Sequence, residues 1–501
     1  MAMAGSTSPG AQDVRKTILS LGAVNALDMV LQAALPMLLV RLLGDEDFGV
    51  YRTLWLIVTT ALCLLPMAMP TSLFYFLPRS AGAERSAYLL QAALTMAGAA
   101  LLGGAAVLLT TGGLDLHDDH RLPIAAFVAL WTFASLLDSL FNAMQRGPTQ
   151  ARVNLVFALL RFGAVAGVAA ATHAIEPVLI AHLAFGAAKA LTCAALVVRN
   201  ARANGGWRAA SIARWREQCR YALPFGGSAA LYLLRARIDQ WLVASMFSTA
   251  QFGLYSVAAV FSPVQGLVRS TVSNVVLPEL NRLQAHDDVE RMLALNRRGN
   301  LAVSLLMFPV LAYLFAAATP LLTLLFTADY RGAAPVVRWY CAALMVETIE
   351  VTTLLYAFRQ GRFLIAWDGV LLVVSVAVCA AGARMFGLSG AALGGLVGGA
   401  IAQAVSLARC AKLARVPVAA LQPWGLFGRV LLAAVGAGLV AYGVLAVMAN
   451  VSGVSGAPGM LTLAVGALAF CAAYWLGLRL LRMAPVVRDV MGIRMARLMG
   501  F

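Results

Sequence analysis

Charge is scarce in this sequence and lysine is almost missing: of 501 residues only 12% are charged, and the lysines are Lys16, Lys189 and Lys412. None of the three follows the glycines of a phosphate-binding loop, which excludes nucleotide hydrolysis by that device. The histidines (His117, His120, His173, His182, His286) form no His-Glu-x-x-His pair, and His117 with His120 reads as a solvated turn, so no metal site is expected. Seven cysteines, an odd number with no Cys-x-x-Cys pair, lie mostly in apolar runs and read as small core residues. No cofactor and no catalytic residue are called for. The longest connection, Arg199–Arg220, is basic and carries Trp207 and Trp215, so it reads as a segment lying along a membrane interface rather than as a soluble domain.

What is present is apolar surface. A hydrophobic fraction of 61% and a mean hydropathy of +0.83 leave too little polar surface for a soluble domain of this length. The fold class is an all-α polytopic membrane protein. Windows of about 20 residues predict fourteen crossings. The first seven are Thr17–Val40, Val50–Leu73, Ser86–Thr110, Leu122–Asn142, Ala151–Thr172, Pro177–Val198 and Tyr221–Met246. The next seven are Phe252–Leu277, Asn300–Ala318, Ala334–Phe358, Phe363–Met385, Leu388–Ala411, Phe427–Met448 and Met460–Leu480.

Charge then orients the chain. Arginines crowd the even-numbered connections, from Arg79 and Arg85 through Arg146, Arg199, Arg216, Arg297 and Arg409, and both terminal segments are basic. The odd-numbered connections are short and acidic, with Asp45, Glu46 and Asp47, then Asp115, Asp118 and Asp119, then Glu176 and Asp329. Basic loops stay in the cytoplasm, so both termini are expected there, and the net charge of +16 reflects topology and anionic lipid rather than nucleic acid. The first apolar stretch is too long for a cleavable signal, and a bacterial inner membrane is the natural location.

The chain also repeats itself. The first outer turn, Gly44-Asp-Glu-Asp-Phe48-Gly49-Val50-Tyr51, returns after the seventh helix as Ser248-Thr-Ala-Gln-Phe252-Gly253-Leu254-Tyr255. An offset of six helices preserves orientation and makes a parallel repeat. Two six-helix bundles in pseudo-twofold relation, residues 1–205 and 206–413, are expected, with 414–501 holding helices thirteen and fourteen and a basic tail.

The run from Leu35 to Tyr51 resembles the first-helix signature of the polysaccharide (Wzx-type) flippases of the multidrug/oligosaccharidyl-lipid/polysaccharide exporter superfamily. The resemblance extends through Tyr221-Ala-Leu-Pro-Phe225, Arg237-Ile-Asp239, Phe252-Gly-Leu-Tyr-Ser256, Val276-Leu-Pro-Glu-Leu280 and Pro320-Leu-Leu-Thr-Leu-Leu-Phe326 with Tyr330. It covers most of residues 15–415. It implies a MATE-like fold and alternating-access transfer of an undecaprenyl-pyrophosphate-linked oligosaccharide to the periplasmic leaflet, for surface polysaccharide such as exopolysaccharide or lipopolysaccharide. It also implies functional partners, a polysaccharide polymerase and a chain-length regulator. Two other readings stand beside it: a proton- or sodium-coupled small-molecule exporter of the same superfamily, and a membrane glycan polymerase or ligase, for which the short outer loops leave little room.

A pyrophosphate crossing hydrocarbon needs fixed positive charge along its path. The candidates, in order of preference, are Arg161, Lys189, Arg235, Arg269 and Arg237. Arg161 and Lys189 have no local partner, whereas Arg235 stands four residues before Asp239 and could simply pair with it. Arg237 points about 200° away from Arg235 on an ideal helix. Arg269 lies toward the cytoplasmic end and could serve only to reach the interface. Candidate ion-coupling acids are Asp28, Asp239, Glu347 and Glu350, with Asp138 a further buried acid; Glu347 and Glu350 are expected on one helical face. These acids could equally neutralise the arginines.

Overall fold

Pro66 shows first how hydropathy windows and real helices part company. Its ring lacks the N–H that would continue a helix, and the chain leaves helical geometry there, with Met67 and Ala68 at φ of 44° and 57°. The expected second crossing is therefore two helices, α2 (Asp45–Leu64) and α3 (Met69–Phe76), after α1 (Ala11–Leu42). The computed structural model describes residues 11–110, 118–259, 262–451 and 459–491. Asp115, His117 and the tail arginines Arg494 and Arg497 lie outside the described residues.

The described residues are helical throughout, with no strand. After α3 come α4 (Gly82–Thr110), α5 (Asp118–Ala134), α6 (Leu137–Ala143), α7 (Gly147–Thr172), α8 (Ile175–Ala203) and the short α9 (Gly206–Ala209). The next group is α10 (Ile212–Ala236), α11 (Ile238–Met246), α12 (Thr249–Ala258), α13 (Ser262–Ala285), α14 (Val289–Ala316) and α15 (Ala318–Leu325). Last are α16 (Ala334–Glu347), α17 (Thr352–Ala357), α18 (Gly361–Ala414), α19 (Val418–Leu421), α20 (Trp424–Val451), α21 (Met460–Leu480) and α22 (Ala484–Met491).

Among the described residues nine helical stretches are long and apolar enough to cross a membrane. The other expected crossings correspond to α1, to the interrupted pairs α10/α11, α12/α13 and α16/α17, and to the second arm of α18, an arrangement compatible with fourteen. The chain is a multi-pass membrane protein.

Further interruptions depart from the continuous helices expected as four, seven and ten, and another falls where a boundary was expected. Helix four breaks at Ser135 and Leu136, where the ladder tightens to three-residue bonds: Leu136 N donates to Phe133 O and Asp138 N to Ser135 O. Helix seven breaks at Arg237. Helix ten ends at Glu347 and resumes at Thr352, so Glu347 and Glu350 do not share a helical face. The boundary between helices eleven and twelve falls within α18, at Gly387, whose φ of 62° and ψ of −144° fold the helix back on itself. Its two arms then approach so closely that a Cβ built on Gly382 or Gly390 would stand 2.2 or 1.9 Å from the other's carbonyl oxygen. With lipid outside as apolar as the core within, contact of this kind is what holds membrane helices together.

By backbone contacts the chain divides into two units: Met1–Leu234 with Phe247–Gly253, and Arg235–Met246 with Leu254–Phe501. In the first, α3, α4, α6 and α8 close around Leu73, Leu89, Met96, Leu137 and Cys193. Also within it, Gly49 of the first Phe-Gly-aliphatic-Tyr turn lies under the second copy: a Cβ on Gly49 would be 2.1 Å from Thr249 O, and one on Gly253 3.1 Å from Gly49 Cα. In the second unit one core joins α14, α20, α21 and α22 around Phe308, Val430 and Phe470, and another joins α13, α14, α17 and α18 around Leu280, Leu354 and Cys410.

Candidate functional site

In the first unit Arg161 is a half-buried cation set among aromatic rings. It projects from α7, its guanidinium carbon 5.2 Å from the ring centre of Trp55 on α2 and 5.7 Å from that of Trp131 on α5. The two indoles meet edge to face at 5.7 Å, and Phe127, Tyr51 and His182 extend the cluster. His182 is fully buried; its Nδ1 lies 2.9 Å from Val178 O. A carbonyl only accepts, so that nitrogen carries the proton. Nε2 has no partner among the described residues. Among them, too, no carboxylate lies within ion-pairing distance of Arg161.

Lys189 of α8 is different. Its Nζ rests 4.6 Å from the Trp131 ring centre and 2.6 Å from Asp138 Oδ1, with the lysine side chain 7% exposed and the aspartate 47%. Local spacing showed no partner because Asp138 is 51 residues away, in α6, just past the break in helix four. Arg161 and Lys189 thus both approach the ring of Trp131, but among the described residues Lys189 is the one of the two with a carboxylate partner.

In the second unit, two further candidates are tied down, Arg235 and Arg269. Arg235 bonds to Asp368 at 3.1 Å, both side chains mostly covered, so a carboxylate that holds it comes from α18, outside the helical spacing that offered Asp239. Arg237 sits in the turn that separates α10 from α11. Arg269 of α13 does not simply reach for the interface. It donates to Glu347 O at 3.0 Å and Thr348 O at 2.6 Å, carbonyls released by the break in helix ten, and to Asn300 Oδ1 at 3.2 Å, with Glu350 at 3.5 Å. Asn296 and Asn300 donate to Glu350 O at 3.2 and 2.7 Å, and the Glu350 carboxylate accepts from Thr353 N and Oγ1 at 2.7 and 2.8 Å. An interrupted helix in hydrocarbon needs such replacements for its own lost bonds. Beside it Arg269, Ser273, Asn296, Asn300 and Glu350 line a space of about 10 Å³, enough for one water molecule.

The acids divide similarly. Asp239 is buried, and its Oδ2 accepts from the phenols of Tyr255, at 2.7 Å, and of Tyr340. Tyr255 closes the second Phe-Gly-aliphatic-Tyr copy. Glu347 is accessible and lies within electrostatic reach of Arg235, Arg269 and Asp239. Asp28 accepts from Gln32 at 2.7 Å, one turn along α1.

Sequence reasoning missed the aromatic shell of Arg161, the Asp368 partner of Arg235 and the asparagines that stitch helix ten. Two signals were available. Trp55 and Trp131 stand mid-span rather than in the interfacial belts that tryptophan favours, and Asp368 is a lone acid in an apolar run.

Comparisons with known proteins bear on this arrangement. A family described as polysaccharide biosynthesis protein matches residues 14–284, more than half of the chain. No curated protein sequence matches it. Among solved structures, the lipid II flippase MurJ in an inward closed conformation is similar over 94% of this chain and 99% of its own, with a TM-score of 0.69 at 12% identity. An inward-facing multidrug resistance MATE family transporter of the MOP superfamily is similar over 81% of this chain and 98% of its own, with a TM-score of 0.60 at 13% identity. At such identities the likeness establishes the fold.

Proposed function

The chain belongs to the polysaccharide biosynthesis protein family, and from that premise we propose that it is a flippase, not an enzyme. Its cargo is an undecaprenyl-pyrophosphate-linked oligosaccharide repeat unit, carried from the cytoplasmic to the periplasmic leaflet of a bacterial inner membrane by alternating access. The repeat bundles, residues 1–205 and 206–413, are the moving parts, both termini are cytoplasmic, and a polymerase and chain-length regulator act on the product.

One observation carries this reading: Arg161 is a half-buried membrane arginine whose close company among the described residues is aromatic. Its planar fork keeps its donors for a ligand and suits phosphate in two contacts. Trp55 and Trp131 attract the cation by their faces without neutralising it, which positions the charge and leaves it usable. Lys189, Arg235 and Arg269 are already spent on carboxylates and carbonyls, so Arg161 moves clear of them as the phosphate-binding residue.

The second reading, a coupled small-molecule exporter, gains support from Asp239, an acid buried between two phenols, which could serve as the coupling site of either carrier. The test is export of lipid-linked glycan in a deletion strain rescued at matched membrane expression. Arg161→Ala should lower flux about ten- to hundredfold, the loss of charge-assisted bonds worth ~1.5–3 kcal/mol, with Arg161→Lys intermediate. Rescue by Arg161→Ala at the wild-type rate would remove Arg161 from the path. Glycan export that continues in the deletion strain, with no redundant carrier, would reject flipping and promote the exporter.

A further inference from the structure

Away from these charges, the first unit has an apolar trough of about 730 Å³ between α4 and the start of α10, within the ~300–1,000 Å³ of ligand sites. Gln91, Thr95, Gly98 and Leu102 run along it as one stripe of α4. From Gln91 to Leu102 the helix rises about 16 Å, half of a hydrocarbon core about 30 Å thick. The trough is one leaflet long.

Its walls are built for a chain rather than a polar solute. Leu94 and Leu102 beside it are 54% and 68% exposed, and a Cβ at Gly98 would meet nothing within 4 Å, so the stripe has a notch at its centre. The polar groups at one end bond mainly to each other: Gln91 Nε2 donates to Ser211 O at 2.6 Å and Trp215 Nε1 to Thr95 Oγ1 at 3.0 Å. That end is formed by the basic Arg199–Arg220 connection, an elbow between α8 and α10. Trp207 and Trp215 are exposed on it, in keeping with the interface, and so are Arg208, Arg216 and Arg220. Arg214 is turned inward to Glu84 at 3.6 Å.

We propose that this trough binds one acyl chain of an anionic phospholipid from the leaflet that carries the elbow, cytoplasmic in the orientation given above, with the phosphate held at the elbow arginines. A trough of one leaflet's length fits an acyl chain and is too short for an undecaprenyl tail, and the exposed arginines Arg208 and Arg216 flank in sequence the lining stretch from Ala210 to Trp215, where a headgroup would lie. The site is independent of what the protein transports.

Native mass spectrometry of the delipidated full-length protein, offered equal phosphatidylglycerol and phosphatidylethanolamine in mixed micelles, tests it. One phosphatidylglycerol should be retained in preference. Gly98→Leu, whose Cβ would meet nothing within 4 Å, should weaken retention at least about tenfold, and Arg216→Gln should reduce the preference about fivefold. Thermal stability of both variants is checked alongside, and Leu102→Trp, at an exposed position, replaces Gly98→Leu if that variant does not fold. Undiminished retention in the folded variants overturns the proposal, as does equal retention of the zwitterionic lipid. Preferential capture of added undecaprenyl phosphate by the same trough also overturns it.

Discussion

The Lys189–Asp138 pair should respond asymmetrically to loss of its two halves. At 2.6 Å the gross attraction is about 6 kcal/mol with an effective dielectric of 20, much of it offset by removing the ammonium from water. The lysine side chain is 7% exposed and the aspartate 47%. Asp138→Asn therefore strands a covered cation beside the Trp131 ring, at a cost of ~3–5 kcal/mol. Lys189→Met removes the covered charge and leaves a carboxylate that is half exposed rather than enclosed, at ~1–2 kcal/mol. The double variant should recover most of the Asp138→Asn loss, since no stranded charge remains. Thermal unfolding of the four purified proteins in one detergent measures the cycle. A Lys189→Met loss equal to or larger than that of Asp138→Asn, or simple additivity in the double variant, would refute the reasoning and return Lys189 to the set of cations available to cargo.

Two glycines should fail for different reasons. Gly49→Ala places a methyl 2.1 Å from Thr249 O, a backbone atom with no rotamer to yield, and should cost at least ~2 kcal/mol; Gly44→Ala, open within 4 Å, is the control and should stay within ~0.5 kcal/mol. Fluorescence-detected size exclusion after heating reads both, and equal melting would show that the repeat turns do not meet as described. Gly387→Ala has room for its methyl but must hold φ at 62° and ψ at −144°, so backbone strain alone should cost ~1–3 kcal/mol. Gly395→Ala, equally open and helical, should stabilise by up to ~1 kcal/mol, and a stability loss shared by the two would point to packing instead.

Legibility followed the range over which each feature is encoded. Crossing segments are written in local composition, so the apolar runs and the α18 hairpin at Gly387 could be read directly. The break in helix ten could not, because Glu347-Thr-Ile-Glu350-Val contains neither glycine nor proline. What permits that break is Arg269 together with Asn296 and Asn300, which take up the carbonyls of Glu347, Thr348 and Glu350 from helices at least fifty residues away. The partner of Lys189 was hidden for the same reason.

The broken fourth and tenth crossings suggest a rule for which intramembrane charges can serve function. Each break has a cation–carboxylate contact beside it, Lys189 with Asp138 in one and Arg269 with Glu350 in the other. At the tenth crossing Arg269 also takes up carbonyls that the break frees, Glu347 O and Thr348 O, so moving it to a ligand would strand them. Arg161 lies in the middle of an unbroken helix, α7, and no freed carbonyl needs it. An aromatic shell holds such a cation at a modest gain, ~0.5–2 kcal/mol for each good ring contact, less than a phosphate offers through two charge-assisted bonds. A ligand can therefore win Arg161 from its surroundings, which is the energetic condition for a carrier that must bind its cargo and then let it go.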